Sequence, residues 1–283
     1  YHTLADAEAA NGQHDRVIGT MSGLLAFSED DASAFEIRGR ARLKIGENDE
    51  GIGDIRRAVE MEPDNPDFLV SLGAGLMRAG RAKEARKVLG SALAADDKNS
   101  RAHLLLGLLA RGEGKGQVAL KHHQSAVLFE PEDARAHYEL AVTHNILGQN
   151  EEAEESFGKA VDLEPENGIY WYSYGDLLRL VGRTEDAAAA YRQSVRLAPN
   201  NPRAWERLAQ TLIETEQLKD AAKQLKRGIG KVDHPRLYFL LAQVYRQANK
   251  KERAAEALEN YLEAAPQGAP DRKAAKQQLR KLR

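Results

Sequence analysis

Residues 168–201 read GIYWYSYGDLLRLVGRTEDAAAAYRQSVRLAPNN and hold two apolar stripes separated by Gly182. The first stripe has the spacing of one helix face and consists of Trp171, Tyr174, Gly175 and Leu178. The second has the same spacing, is followed by Pro199, and consists of Ala187, Tyr191 and Ser194. The stretch therefore predicts two helices of about a dozen residues that form an antiparallel hairpin.

The pattern recurs along the chain with a period of 34 residues. Prolines mark the period at Pro63, Pro131, Pro165, Pro199 and, after one deletion, Pro266. A small residue is expected where the two helix backbones cross, and it recurs as Ala5, Gly39, Gly73, Gly107, Ala141, Gly175, Ala209 and Ala242. The turn glycine recurs as Gly12, Gly46, Gly80, Gly114, Gly148 and Gly182. A fixed period of this length predicts stacked repeats, each of which buries its apolar face against its neighbours.

Dipeptides that end in proline predict where helices begin. At Asn65-Pro66 and Asn201-Pro202, the amide side chain can cap a helix whose first residue is proline. We expect His234-Pro235 to act similarly. The prolines that mark the period should end the preceding helices, because proline cannot continue a helix.

This pattern resembles the tetratricopeptide repeat (TPR) family, whose repeats carry W-x2-L-G-x2-Y, then A-x3-F and a terminal proline. The resemblance runs from Tyr1 to about Gln267 and implies an all-α fold, a right-handed superhelix of helical hairpins closed by a C-terminal capping helix. We predict a TPR array over 1–268, with units at 1–31 (partial), 32–65, 66–99, 100–133, 134–167, 168–201, 202–234 and 235–268. The unit 202–234 is one residue short and has Gly228 where alanine is usual, which predicts a softened helix end.

Residues 269–283 are predicted to form the capping helix and a basic tail. Six of these residues are basic and one is acidic. A polar outer face is what a cap requires, because the last repeat would otherwise leave its apolar face in water. The alternative interpretation is a basic recognition tail.

Composition excludes several kinds of protein. Lys and Arg total 41 against 43 Asp and Glu, and this balance argues against a nucleic-acid binder, which normally has a basic excess. The absence of cysteine excludes disulfides and thiolate zinc sites. No apolar run approaches the roughly 20 residues of a membrane span, so no membrane insertion is expected. The chain begins at Tyr1 in the middle of a predicted helix, so we expect a fragment or processed form, from the cytoplasm or the periplasm.

The TPR resemblance implies that the first helix of each unit lines a concave groove that binds a partner peptide or protein. In register, the groove residues are Arg101, Leu104, Arg111, Arg135, Tyr138, Asn145, Tyr172, Asp176, Arg179, Arg203, Glu206, Arg207, Arg236, Phe239, Gln243 and Arg246. Arginine among aromatic and aliphatic side chains favours a segment with acidic and apolar residues. The alternative is that the arginines pair with Glu139, Asp176 and Glu206 on the same wall.

Five histidines offer the strongest indication of site chemistry: His103, His122, His123, His137 and His144. Their positions in the repeat favour packing roles in which they replace aromatic side chains. A metal site is the alternative, but it usually needs an i, i+4 pair with an acidic partner, and His137 and His144 are seven residues apart. Since histidine titrates near neutral pH, a weak pH response is a further possibility. No nucleophile elbow, P-loop or His-Glu-x-x-His motif occurs, and we expect no catalytic residue, cofactor or metal.

These observations predict a non-catalytic scaffold or adaptor for protein–protein interaction. Ala-rich repeats with short connections suggest a bacterial protein, and analogy with the family suggests assembly of a multiprotein complex. Two alternatives stay open. One is the substrate-recruiting TPR arm of a larger enzyme, and the other is self-association through the ends of the array.

Overall fold

The chain is all-α. The structure, a computed structural model, describes residues 1–283 and contains 17 helices and no strand, as the helical repeats predict. It divides into two compact units, which we call unit 1 (Tyr1–Leu147) and unit 2 (Gly148–Arg283). The dividing point lies inside the predicted repeat 134–167. The single array over 1–268 and its right-handed superhelix therefore stay predictions, and each unit is described by itself.

Unit 1 contains nine helices: α1 (His2–Ala10), α2 (His14–Leu25), α3 (Ala32–Ile45), α4 (Asn48–Met61), α5 (Pro66–Arg78), α6 (Ala82–Ala95), α7 (Ser100–Gly112), α8 (Gly116–Phe129) and α9 (Ala134–Ile146). Successive helices pair as hairpins, and the second helix of each hairpin also packs against the first helix of the next. The odd-numbered first helices contact one another from α1 to α9, and they form one wall of this unit.

Unit 2 contains eight helices: α10 (Asn150–Leu163), α11 (Gly168–Leu180), α12 (Thr184–Leu197), α13 (Pro202–Glu214), α14 (Leu218–Ile229), α15 (Arg236–Gln247), α16 (Lys251–Ala264) and α17 (Arg272–Leu282). The hairpins α11/α12, α13/α14 and α15/α16 follow one another, and α17 packs on α16 with Ala275 fully buried. The terminal helix therefore covers the last hairpin, as a cap does. No helix of the chain combines the length and apolar character that a membrane crossing requires.

Helix starts repeat with the period of the sequence. An Asn or Asp side chain accepts a hydrogen bond from a backbone N–H of the first turn at Asp31, Asn65, Asn99, Asp133, Asn167 and Asn201. Such a cap satisfies a donor that the helix leaves unpaired. The expectation for His234-Pro235 is wrong, because α15 begins at Arg236 with no side-chain cap. The His234 ring nitrogen Nε2 instead lies 3.1 Å from Glu206 Oε2.

The prolines end the preceding helices as expected. Pro63, Pro131, Pro165, Pro199 and Pro266 each lie two residues beyond the last helical residue. The six turn glycines all have positive φ, between 70° and 93°, which is the left-handed conformation that favours glycine. In the hairpins α13/α14 and α15/α16, Glu216 (φ 57°) and Asn249 (φ 54°) take this position.

The small residues at the helix crossings prevent steric overlap. A Cβ atom on Gly39 would lie 2.7 Å from the backbone oxygen of Gly51 on the partner helix. At Gly175 it would lie 2.8 Å from the ring of Tyr191, one turn beyond Ala187 on α12. The close approach is therefore as expected, and a large side chain packs directly over the glycine.

Gly228 has a packing reason that the sequence does not reveal. A Cβ atom there would lie 2.9 Å from Trp205 Cγ and 3.1 Å from Leu237 Cδ1. Helix α14 ends one residue later and has 12 residues, whereas α12 and α16 have 14. Helix α14 thus ends early beside a tight contact with the indole, and the softened helix end stays a prediction.

Candidate partner-binding groove

Four first helices of unit 1 form a hollow of about 410 Å³, which we call the unit 1 groove. Helices α3, α5, α7 and α9 each contribute to it, and consecutive members of this set contact one another. Its apolar lining consists of Leu43, Ala74, Met77, Leu104, Leu105 and Leu108. Its polar lining consists of Ser71, Arg40, Lys44, Arg78, Arg101 and Arg135. No acidic residue lines the groove.

Most of the basic side chains of the groove lack a carboxylate partner. Arg40 is the exception, since its Nη1 lies 3.6 Å from Oε1 of the buried Glu36, which also accepts a 2.5 Å hydrogen bond from Ser71. The other four basic side chains form no ion pair, and they are Lys44, Arg78, Arg101 and Arg135. The groove therefore combines an apolar surface with uncompensated positive charge, which favours an anionic and partly apolar ligand.

Three predicted groove residues line this hollow: Arg101, Leu104 and Arg135. Arg40, Lys44 and Arg78 were missed, although Lys44 and Arg78 stand one repeat period apart. Tyr138 and Asn145 lie half-buried on α9 outside the lining. Arg111 is directed to another partner, because its Nη1 lies 2.6 Å from Glu139 Oε2.

In unit 2, the predicted wall consists of α11, α13 and α15, and its charges are mostly paired. Arg207 Nε lies 3.2 Å from Asp176 Oδ1, and that carboxylate also accepts a 2.6 Å hydrogen bond from the Tyr191 hydroxyl. Arg236 Nε lies 2.8 Å from Glu206 Oε1. Arg179 Nη2 lies 2.6 Å from Glu214 Oε1. With Arg111–Glu139 in unit 1, all three carboxylates that the alternative interpretation named are paired with arginine. The interpretation holds for these arginines and not for Arg101, Arg135, Arg203 and Arg246, which form no ion pair.

The remaining predicted residues of this wall differ in exposure. Arg203 and Arg246 are exposed and form no ion pair, while Gln243 is half-buried. Phe239 is buried, with its ring centroid 5.4 Å from that of Tyr261. Burial, with the charge of Asp176, raises the pKa of Tyr172 and keeps its hydroxyl protonated.

Helix α11 exposes two aliphatic side chains, Ile169 at 58% and Leu180 at 65%. Ile169 stands one period after Arg135 and one period before Arg203, two predicted groove residues, whereas Leu180 was missed. Leu180 follows Arg179 directly, as Arg78 follows the lining residue Met77 three repeat periods earlier in the chain. The residue that directly follows this groove position is therefore the signal by which Arg78 and Leu180 could have been predicted.

Two histidines replace tryptophan in a recurring contact. The indole N–H groups of Trp171 and Trp205 donate to the carbonyls of Pro165 and Pro199 at 2.8 and 2.9 Å. His137 Nε2 lies 2.9 Å from the equivalent Pro131 carbonyl oxygen. His103 Nε2 likewise lies 3.1 Å from the carbonyl oxygen of Asp97. The prediction that these histidines stand in for aromatic residues is confirmed by this shared geometry.

His123 is fully buried, and its ring packs on Gly107. Its Nδ1 lies 2.8 Å from Thr143 Oγ1. Burial, with the positive charges of Arg111 and His122, lowers the pKa of His123 to about 4. Burial also lowers the pKa of His122, whose Nδ1 lies 3.0 Å from Nδ1 of His103. No group of three or more His, Cys, Asp or Glu side chains is placed to hold a metal ion.

Comparison with known proteins gives matches along most of the chain. Two family models, both described as tetratricopeptide repeat, match residues 104–157, 147–202 and 206–269, and residues 43–109 and 178–232, respectively. No curated protein sequence matches significantly.

Several solved structures share the fold at low sequence identity. PilF of Pseudomonas aeruginosa is 19% identical, with a TM-score of 0.61 over 75% of this chain and 96% of that chain. A tetratricopeptide repeat protein of Parabacteroides merdae is 18% identical, with a TM-score of 0.56 over 89% and 98%. YrrB, described as a TPR protein with an unusual peptide-binding site, is 19% identical, with a TM-score of 0.58 over 68% and 99%. Because one family model covers more than half of the sequence and the helices repeat in the same register, this chain belongs to the tetratricopeptide repeat family.

Proposed function

We propose that this chain is a protein-interaction scaffold that binds an acidic and apolar partner segment in the unit 1 groove. Proteins of the family are in general non-catalytic scaffolds, which is consistent with this role. The observation that carries the proposal is the combination of four unpaired cations with six apolar lining residues in one hollow of about 410 Å³. A hollow of this size accommodates a few side chains of a segment and not a whole domain.

The chemistry of the lining defines the partner. Arginine presents a planar set of donors that matches a carboxylate, and Arg78, Arg101 and Arg135 come from three successive first helices. A partner with carboxylates on both sides of an apolar residue could contact several arginines while its apolar side chain lies on Met77, Leu104 and Leu108. Neither a purely acidic nor a purely apolar segment would use both kinds of surface.

Selection of random displayed peptides on the full chain, followed by fluorescence anisotropy, tests the proposal. We expect enriched peptides to carry Asp or Glu next to Leu, Ile or Phe. The triple variant Arg78→Gln, Arg101→Gln, Arg135→Gln should weaken their binding more than tenfold, since each charge-assisted hydrogen bond contributes about 1.5–3 kcal/mol.

The matched control removes charge from an outer helix of the same unit. Lys83 and Lys87 on α6 are exposed and form no ion pair, so Lys83→Gln with Lys87→Gln should leave the affinity unchanged. Peptides that bind the triple variant as tightly as the unchanged chain would show that the groove is not the binding site.

We further propose that this binding serves the assembly of a bacterial multiprotein complex. The exposed Ile169 and Leu180 on α11 support it, because they offer unit 2 an additional apolar contact surface. Affinity purification of the tagged full-length protein from its own cells, followed by mass spectrometry, tests the idea. A set of proteins lost together from the triple variant is expected. An enzyme domain found on the same polypeptide as this chain, with no set of partner proteins, would favour the substrate-recruiting arm instead.

A further inference from the structure

Arginine–carboxylate pairs join neighbouring second helices within each unit. In unit 1, Arg56 on α4 lies 3.1 Å from Glu84 on α6, and Arg86 on α6 pairs with Glu113 before α8. In unit 2, Glu154 on α10 pairs with Arg183 at the start of α12. Arg192 on α12 lies 2.8 Å from Asp220 on α14. Each pair connects one hairpin with the next on the side of the second helices.

This pattern stops between α14 and α16. No ion pair joins these two helices, and basic side chains face the space between them from both sides. Lys219, Lys223 and Lys226 lie on α14, Lys250 and Arg253 lie at the start of α16, and all five are exposed. None of the five forms an ion pair. The junction therefore concentrates positive charge that no carboxylate across it neutralises, unlike the four junctions named above; α2 and α4 of unit 1 also lack a joining ion pair.

The space between α14 and α16 consists of two adjoining hollows of about 970 and 240 Å³, which we call the α14/α16 cleft. Lys226, Tyr245 and Arg253 line both hollows. The Lys226 ammonium and the Arg253 guanidinium each lie 6.0 Å from the centroid of the Tyr245 ring. Both cations therefore lie beside the same ring in the lining of the cleft, where a carboxylate that enters the cleft can pair with them.

The rest of the lining is mixed. The half-buried Leu218, Ala222 and Ala248 add apolar surface. Three carboxylates also line the hollows, namely Glu216, Asp220 and Glu256, and that of Asp220 is bound to Arg192. Interspersed carboxylates would repel a continuous polyphosphate. A polypeptide tolerates them, because it can place neutral or basic residues opposite.

We propose that the α14/α16 cleft is a second docking surface and that its occupant is an acidic polypeptide segment of a partner protein. A carboxylate of the segment lies between Lys226 and Arg253, in a position like that of the ion pairs at the four junctions named above. Apolar side chains of the segment cover Leu218, Ala222 and Ala248. The surface shares no residue with the unit 1 groove, so the two can be tested separately.

The test uses the full chain with Arg78→Gln, Arg101→Gln and Arg135→Gln, so that the unit 1 groove does not contribute. The probe is a fluorescein-labelled peptide of repeated Glu-Glu-Leu, followed by anisotropy, and the peptide of repeated Gln-Gln-Leu is the control ligand. Saturable binding of the acidic peptide alone is expected, with an affinity that falls as salt rises. Adding Lys226→Gln and Arg253→Gln should weaken it about tenfold or more.

A matched pair of substitutions controls for net charge. Lys276 and Arg280 on α17 are exposed and form no ion pair, so Lys276→Gln with Arg280→Gln should leave the affinity unchanged. Equal losses from both pairs, or no binding of the acidic peptide, would overturn the proposal. Binding of phosphatidylserine vesicles in place of the peptide would also overturn it, because the occupant would then be a membrane. So would a molecular mass that rises with protein concentration and no longer does so after Lys226→Gln and Arg253→Gln, because the occupant would then be a second copy of the chain.

Discussion

Replacing Glu216 by glycine should stabilise unit 2, because the backbone at this position has a conformation that favours glycine. Six hairpin turns place glycine here, with φ between 70° and 93°, whereas Glu216 has φ 57°. Glu216 is exposed and its side chain forms no ion pair. The substitution therefore changes backbone energetics and removes no packing contact.

The size of the effect follows from two opposing terms. A residue with a Cβ atom in the left-handed region costs about 1–2 kcal/mol. Glycine loses more backbone entropy on folding, by roughly 0.5–1 kcal/mol. We therefore expect Glu216→Gly to raise the free energy of unfolding by about 0.5–1 kcal/mol. For a domain of this size, the gain corresponds to a rise of roughly 1–4 °C in the melting temperature.

Circular dichroism during heating, and urea unfolding, measure the change. Hydrogen exchange of the backbone amides of α13 and α14 should slow in the same variant, because this hairpin holds the turn. Glu216→Gln keeps the backbone strain while removing the charge, so its stability should match that of the unchanged chain. Gly182→Glu places the side chain in the equivalent turn, where φ is 81°, and should cost about 1 kcal/mol or more. Equal gains from Glu216→Gly and Glu216→Gln would refute the backbone argument.

Three further predictions concern buried contacts. The folded-state pKa of His123 is about 4, below the ordinary value, so the unfolded chain binds the proton first. The contribution of His123 to the free energy of unfolding should be fully present above about pH 6.5 and fall by up to about 3 kcal/mol as the pH drops toward 4. In urea unfolding across that range, His123→Leu should remove this part of the pH dependence, while the smaller part from His122 remains. Gly175→Leu should unfold the α11/α12 hairpin, because even its Cβ would lie 2.8 Å from Tyr191. Gly158→Ala on α10 is the control: its Cβ meets nothing within 4 Å and should stabilise the chain by about 0.5–1 kcal/mol. Thermal melts that rank the two variants the other way would contradict the contact. Gly228→Ala should destabilise by about 1–3 kcal/mol, since its Cβ would press on Trp205, and an unchanged tryptophan fluorescence spectrum and melting temperature would argue against that overlap.

The helices could be predicted from the sequence because each repeat contains the residues that begin and end its own helices. Turn glycines, terminal prolines and the apolar stripes depend on residues close in sequence, and local physics determines them. The Asx caps follow the same period, so Asp31, Asn99, Asp133 and Asn167 could have been identified in advance. The start of α15 could not, because the His234 ring contacts Glu206, which is 28 residues away.

The site was harder to predict because charge pairing depends on the distance between helices of different repeats. Arg207 and Arg203 stand on the same helix one turn apart, yet only Arg207 reaches Asp176 on α11. The register of the repeats identified which residues lie on the wall of first helices. It could not show which of their charges would be neutralised by an ion pair. The α14/α16 cleft was missed for the same reason, since it is defined by an ion pair that does not form.

The indole of Trp205 has a practical consequence for shortened versions of this chain. Its N–H reaches back six residues to the Pro199 carbonyl, which lies before the formal start of the repeat at residue 202. A fragment cut at that boundary would lose the acceptor and leave a buried donor without a partner, at a cost of about 1–3 kcal/mol. Expression fragments that begin at the proline, and so keep the linker with the hairpin that follows it, should be the more soluble and better-behaved samples.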